Sequence, residues 1–598
     1  MFCLIVKFTL IVLIIERTEG ERQPLIKTDS CIYKGSSEQI NGVTLYSWKG
    51  IRYGQPPIGN LRFKPPQPFI CSKDQVIEAT NAANICPQVV PESLMINVNQ
   101  LRNGINMSED CLQLNVWVPL LSDEQLIKSL PFRTLVILPG GNYEANLLID
   151  QNFNDGSVLA ARGGIIVITL QYRLGVLGFT YTDNPEAPGN QGLMDQSLAL
   201  QWVKSNIAFF GGDPSLVTIY GQGSGSTSSV IVNILNSDNQ PGNPFNRFIL
   251  SSGFPVHGSC DDKATAFQRF IWFTEEVGCR PPSSYSIETS FILTCLRSLP
   301  LESILKGQLS LGQHFSAASP GLFQVPTKPT AGTDNFNRCT FDPKDYASSS
   351  FSYRGLNIIM LNMQDEGSTY LLPEQSVKGL APSPTGDDIL NYFKFIDNQT
   401  SLYMGLQVES LENILPLYFA EVLDGYEMGL KEALVQFIGD RLVYCPSLLS
   451  GLALASSGNY VHQGLITYTS SENLRDYIPA NYGDIFDSTY GTRTGLDYWL
   501  IMGKPFVDPM SSDQDKWMSN ELIRLVSDFV KTEEIPWPSL LPLSTGRVVP
   551  FEYDLDIKKS YRPLRKSDRY FDCKSWKPFI WPANSSPIKS PSSGYGYS

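Results

Sequence analysis

The chain has 598 residues, of which 18% are charged and 42% hydrophobic, with a net charge of −13. This is ordinary globular composition, and the acidic excess argues against nucleic acid or an anionic membrane as partner. The length exceeds that of a usual single domain, yet no stretch reads as a linker.

The first 20 residues, MFCLIVKFTLIVLIIERTEG, read as a secretory signal. Lys7 precedes an apolar run, Phe8–Ile15, that is too short to span a bilayer, and cleavage is expected near Gly20. No other transmembrane segment is expected, so the protein is read as secreted. Asn106, Asn398 and Asn584 stand in glycosylation sequons. Cysteine usage fits an oxidising compartment: of 11 cysteines, Cys3 leaves with the signal and an even number remains.

Asn41-Gly42 marks a hairpin turn, and the Pro/Gly-rich stretch Lys49–Pro66 a rigid turn region. Leu112–Val118 and Leu135–Leu138 read as strands, the second running into PGGNY, Pro139–Tyr143. Ile165–Leu170 is another core strand. Met194, Leu198, Trp202 and Val203 form one helical face, stopped by Gly211-Gly212. Leu216–Tyr220 is a buried strand ended by Gly221, and Ile231, Ile234 and Leu235 then keep helical spacing. Phe248–Leu250 leads into SSGFP, Leu356–Leu361 into QDEGS, and Val461–Tyr468 contains His462. Asp513–Thr532 is helical. Strands alternating with helices argue a large, mostly parallel, doubly wound sheet with helices on both faces.

Strand, glycine turn and helix at 216–235 is the setting of a nucleophile elbow, G-x-S-x-G. Laid on Gly221, Gln222, Gly223, Ser224 and Gly225, that template puts Gly223 in the nucleophile position. The upstream stretch EAPGNQGLMDQSLALQWVKSNIAFFGGDPSLVTIYG, Glu186–Gly221, resembles the type-B carboxylesterase/cholinesterase family without gaps. The resemblance covers nearly the whole chain and includes neuroligin-like adhesion proteins, some of which carry glycine at the elbow. It implies an α/β-hydrolase fold over residues 21–584, with 585–598 as a disordered Ser/Pro/Gly/Tyr-rich tail.

The resemblance also implies roles for single residues. Cys86–Cys111, Cys279–Cys295 and Cys445–Cys573 are implied as disulfides. Cys31, Cys71, Cys260 and Cys339 allow three connectivities, of which Cys31–Cys71 and Cys260–Cys339 are chosen. Pro139–Tyr143 resembles the oxyanion loop, but only Gly140 and Gly141 of its three glycines are kept. Asn142 stands in the third slot, and a plain tight turn is the better reading of the loop. Glu366 matches the triad acid. Tyr482, in YGDIFDSTYG, stands where the family has its histidine, and a tyrosine is a poor general base at neutral pH. The predicted Cys86–Cys111 loop has no aromatic residue over 91–107 to hold choline by a cation–π contact. His462, upstream of the base position, is read as structural. Helices of the C-terminal region could support a homodimer by analogy with the family.

The expected function is therefore binding, by a catalytically inactive scaffold whose partner is an extracellular protein or a small apolar ligand. No metal or cofactor is expected. Two alternatives stand beside it. One is an ester hydrolase with Ser224 as displaced nucleophile. The other is a carrier that holds an apolar molecule in the vestigial gorge.

Overall fold

The computed structural model describes residues 24–72, 75–89, 107–120, 131–144, 154–235, 245–255, 260–280, 288–315, 330, 333, 355–370, 414, 416–419, 430–470, 494–509, 511–540, 552–555 and 568–580. The expected signal and tail, and the sequons at Asn106, Asn398 and Asn584, lie outside them, as does Tyr482.

A ten-stranded sheet organises the chain. Its strands are β1 (Ser36–Ile40), β2 (Val43–Arg52), β3 (Gln113–Leu120), β4 (Phe132–Leu138) and β5 (Ile166–Leu170). They continue with β6 (Gly212–Gln222), β7 (Arg247–Ser251), β8 (Asn357–Met363), β9 (Tyr460–Ile466) and β10 (Glu552–Leu555). The spatial order is β10-β9-β8-β7-β6-β4-β5-β3-β2-β1. Every pairing from β10 to β5 is parallel, and β3, β2 and β1 add an antiparallel edge. This is the expected α/β-hydrolase architecture.

Side chains alternate across each strand, and two cores result. Val136 and Leu138 of β4, Ile219 of β6 and Phe248 and Leu250 of β7 enter one cluster. Leu135, Ile137, Tyr220 and Ile249, their neighbours in sequence, enter the other. The first cluster takes side chains from α2 (Gln191–Asn206), α3 (Ser224–Val230), α7 (Leu430–Gly439), α8 (Cys445–Ser456) and α11 (Asp568–Ile580). The second takes them from α1 (Ser157–Gly163), α9 (Leu496–Ile501) and α10 (Asp513–Thr532). Covering both faces is what buries the near-continuous apolar runs of a parallel sheet. A side cluster gathers α4 (Lys263–Glu276), α5 (Thr289–Ser298) and α6 (Leu301–Phe315).

Several boundaries differ from expectation. β2 extends through Arg52, so Lys49–Arg52 is strand rather than turn. Gly211, at φ 86°, caps a short 3-10 turn after α2, and Gly212 already belongs to β6. β6 runs on to Gln222, one residue past Gly221, because Gln222 still pairs with Ser251 of β7. The hairpin turn forms at Asn41 and Gly42, both at positive φ (51° and 81°), the backbone that type I′ turns require.

Charged motif residues act as internal ties. Arg173 reaches Asp195 through Nε at 2.8 Å and Nη2 at 2.7 Å, with both residues buried. Arg62 holds Glu109 in the same two-pronged way, 2.7 Å on each side. Paired geometry of this kind is what lets a buried charge persist.

Disulfides join Cys31 to Cys71, Cys86 to Cys111, Cys279 to Cys295 and Cys445 to Cys573. Cys260 is also disulfide-bonded, while Cys339 lies outside the described residues. Among the described residues no helix is long and apolar enough to cross a membrane, and no group of acidic, histidine and cysteine side chains could hold a metal.

Candidate functional site: a glycine elbow beside a buried acid network

The carboxyl ends of the parallel strands converge on one place, where such sheets present their sites. β4 delivers Pro139–Tyr143, β6 delivers Gly223, β7 delivers Ser251–Gly253 and β8 delivers Glu366. α9 brings Asp497 beneath them.

Gly223 is the single residue between β6 and α3, with φ 55° and ψ −119°. That conformation is strained for any residue with a Cβ. Its N–H donates to the Ser251 carbonyl at 2.8 Å, and its own carbonyl accepts from Thr227 N–H at 3.1 Å. The turn is compressed on both sides. A Cβ on Gly221 would fall 2.5 Å from the Gly225 carbonyl oxygen, and one on Gly225 2.2 Å from that of Leu138. Among the described residues, a Cβ on Gly223 would meet no atom within 4 Å. The flanking glycines are thus required by packing, whereas no described residue crowds a side chain at the central position. This chain places none there.

Ser224, one residue on, is buried and faces elsewhere. Its Oγ accepts from Tyr143 N–H at 3.4 Å and interacts with the Tyr172 hydroxyl. Tyr172 in turn donates to the Pro139 carbonyl at 3.0 Å. Ser224 therefore ties the Pro139–Tyr143 loop to the elbow. Burial raises the pKa of both Tyr143 and Tyr172 well above the ordinary tyrosine range, so both stay protonated and neither supplies a base for the serine.

The loop itself is more than the plain turn expected from sequence. Gly141, Asn142 and Tyr143 all have positive φ, at 125°, 56° and 65°. Asparagine tolerates the left-handed region better than most residues, which accommodates Asn142. Gly140 presses against Gln222, and a Cβ there would lie 2.3 Å from the Gln222 carbonyl oxygen.

Glu366 is fully buried. Its carboxyl accepts from Met363 N–H at 2.8 Å and from the Thr494 hydroxyl. Desolvation pushes its pKa up to about 7, against the lowering effect of the Met363, Thr494 and Ser252 hydrogen bonds. Nearby, Asp497 is also fully buried. Its Oδ2 accepts from the Tyr220 hydroxyl at 2.7 Å and from the Ser251 hydroxyl. Burial likewise raises the Asp497 pKa, opposed by those hydrogen bonds. Ser251 and Ser252 hydroxyls lie 3.5 Å apart, so neutral side chains link the two acids. His462 is remote in role: its Nδ1 lies 3.0 Å from the Trp537 carbonyl oxygen, and burial lowers its pKa.

Gly140, Gly141, Asn142, Gly223 and Ser224 lie at the strand ends around the turn, and Glu366 is linked to them through Ser252 and Ser251. Sequence reasoning missed Gln222, Thr494 and Asp497. Asp497 had a signal, being a lone acid within the apolar run Leu496–Ile501; such an acid must find hydrogen-bond donors when buried.

A model of the carboxylesterase family matches residues 22–554. The chain belongs to the carboxylesterase family. It is 30% identical to a mouse (Mus musculus) cholinesterase over 436 residues, covering 72% of this chain and 68% of that one. It is 27% identical to the acetylcholinesterase of Bungarus fasciatus over 518 residues, 85% of this chain and 78% of the relative. It is 32% identical to that of Electrophorus electricus over 516 residues, 81% and 76% of the two chains. Cholinesterase likeness thus extends across the sheet and the elbow together.

Proposed function

We propose that this carboxylesterase-family protein is a catalytically silent, secreted binding protein that works in adhesion, in the matrix or on a bound ligand. The observation that carries this is Gly223, which holds the elbow's backbone turn and offers no nucleophile. Loss of a serine nucleophile alone lowers kcat on the order of 10⁶-fold. Tyr482 in the histidine position removes the base as well. The oxyanion loop keeps two glycines, and its Tyr143 N–H is already engaged by Ser224. The neuroligin-like resemblance supports adhesion as one form of the binding role. The disulfides support an oxidising, extracellular setting.

The test is hydrolysis of a short-chain aryl ester by the purified protein, run beside Ser224→Ala and a Gly223→Ser/Tyr482→His double variant. No turnover by the natural chain is the expected result. Turnover that disappears in Ser224→Ala would overturn the proposal and make Ser224 a working nucleophile.

A further inference from the structure

A triad base is recognised by its place, bonded to the acid and beside the nucleophile. Glu366 matches the acid of the family motif, and its carboxyl has a side-chain partner from the segment that follows β9. That partner is Thr494, whose half-buried hydroxyl donates to Glu366 Oε2. Glu366 is also hydrogen-bonded to Ser252. The next residue, Gly253, packs so closely on the elbow that a Cβ there would lie 2.2 Å from the Gly223 carbonyl oxygen. Gly495, the neighbour of Thr494, faces the elbow as well: a Cβ on it would lie 3.9 Å from Nε2 of Gln222, the residue before Gly223. α9 then anchors this stretch through Asp497, which accepts from Ser251 and Tyr220. The Ser251 carbonyl in turn accepts from Gly223 N–H at 2.8 Å. Thr494 is thus held on the acid and next to the turn by contacts with the ends of β6 and β7.

We infer that Thr494 stands in the place of the triad's general base, so that Gly223, Thr494 and Glu366 keep the spatial frame of nucleophile, base and acid. Spacing within YGDIFDSTYG assigns that place to Tyr482, which lies outside the described residues; the bond to the acid assigns it to Thr494. Chain order agrees, since in this fold nucleophile, acid and base follow one another in sequence. This rests on the proposed absence of catalysis and deepens it. A threonine hydroxyl donates to the carboxyl but does not take up a proton near neutral pH as an imidazole does, so the base is missing on either assignment. Two side-chain replacements on an intact frame then account for the silence. With Gly223→Ser and Thr494→His together, the introduced hydroxyl attacks an ester carbonyl, and its proton passes to the introduced imidazole and on to the departing alkoxide. Water, activated by the same imidazole, then releases the acyl group as the acid and restores the hydroxyl.

The experiment sets Gly223→Ser, Gly223→Ser/Thr494→His and Gly223→Ser/Tyr482→His beside the natural full chain on a short-chain aryl ester. The Thr494→His double variant should turn over at least about 100-fold faster than Gly223→Ser alone, the low end of what a positioned general base contributes. The Tyr482→His double variant should stay at the Gly223→Ser level. A second readout needs no turnover and uses Thr494→His alone, with NMR following the imidazole added to the three natural histidines. A carboxylate beside an imidazole favours its charged form, so Glu366→Gln in this background should lower the pH at which the introduced imidazole titrates by about one unit. The same change should leave the imidazole of Tyr482→His unmoved. A gain with Tyr482→His that equals or exceeds that with Thr494→His, no gain with Thr494→His, or an introduced imidazole that does not respond to Glu366→Gln would overturn the inference. Turnover by the natural chain would instead overturn the functional proposal on which it rests, and it is read without any variant.

Discussion

Thr494 donates its hydroxyl to the Glu366 carboxyl across 128 positions of sequence. Both groups are neutral when Glu366 holds a proton, and desolvation has raised its pKa from 4.5 to about 7. The acid position of the family motif is thus kept as part of a hydrogen-bonded network in which its described partners are neutral or acidic.

This predicts a pH dependence of stability. The folded Glu366 binds its proton more tightly than the unfolded one, so its contribution is fully present below about pH 4.5 and is lost as pH rises through about 7. The slope from one such group is at most about 1.4 kcal/mol per pH unit. Asp497, shifted in the same direction, adds to the decline. Thermal midpoints of the natural chain should fall between about pH 5 and about pH 7.5, and those of Glu366→Gln should fall less. Equal slopes in the two proteins would refute the assignment.

The glycines of the elbow should respond differently to one methyl group. Gly225→Ala drives a Cβ to 2.2 Å from a backbone oxygen that cannot retreat, an overpacking expected to cost about 1–3 kcal/mol or more. Gly223→Ala meets no atom of the described residues and bears the backbone strain of φ 55°, about 1–3 kcal/mol. Denaturation midpoints should place Gly225→Ala, which carries the steric clash, below Gly223→Ala. The reverse order would mean that the turn is not packed as described.

Ser224→Ala separates a structural serine from a reactive one. The hydroxyl links Tyr143 N–H and Tyr172, so its removal should destabilise the fold by about 1 kcal/mol. A serine-directed phosphonate should leave Ser224 unlabelled in the natural protein, as measured by intact mass. Stoichiometric labelling at Ser224 would contradict the structural role.

The sheet and the elbow were legible because they are local. A β-branched run, a Gly-x-Gly-x-Gly turn and a helical repeat each leave a mark within a dozen residues. The acid network was not legible, because its members lie far apart in the chain. Tyr220 and Asp497 are 277 positions apart, and Ser251 and Asp497 246 apart. No local pattern pairs such groups; only the closure of β6, β7 and α9 around one point does. The ends of β2 and β6 were misjudged because pairing with β3 and β7 carries the strands past glycines that look like breaks.

The disulfides should contribute unequally. Cys445–Cys573 closes a separation of 128 residues and Cys279–Cys295 one of 16. Loop-closure entropy therefore predicts about 5 kcal/mol for the first and about 3 for the second. Packing widens the gap. Cys573 anchors α11, whose Trp576 indole donates to the Tyr418 hydroxyl at 2.8 Å and meets the Phe437 ring edge-on at 5.0 Å. Replacing both cysteines of the longer bridge by alanine should lower the denaturation midpoint more than the same change in the shorter one. It should also quench or shift Trp576 fluorescence before global unfolding, because α11 loses its covalent tie to α8 while the sheet remains. Equal losses from the two double variants, with Trp576 reporting only the global transition, would show that α11 is held by packing alone.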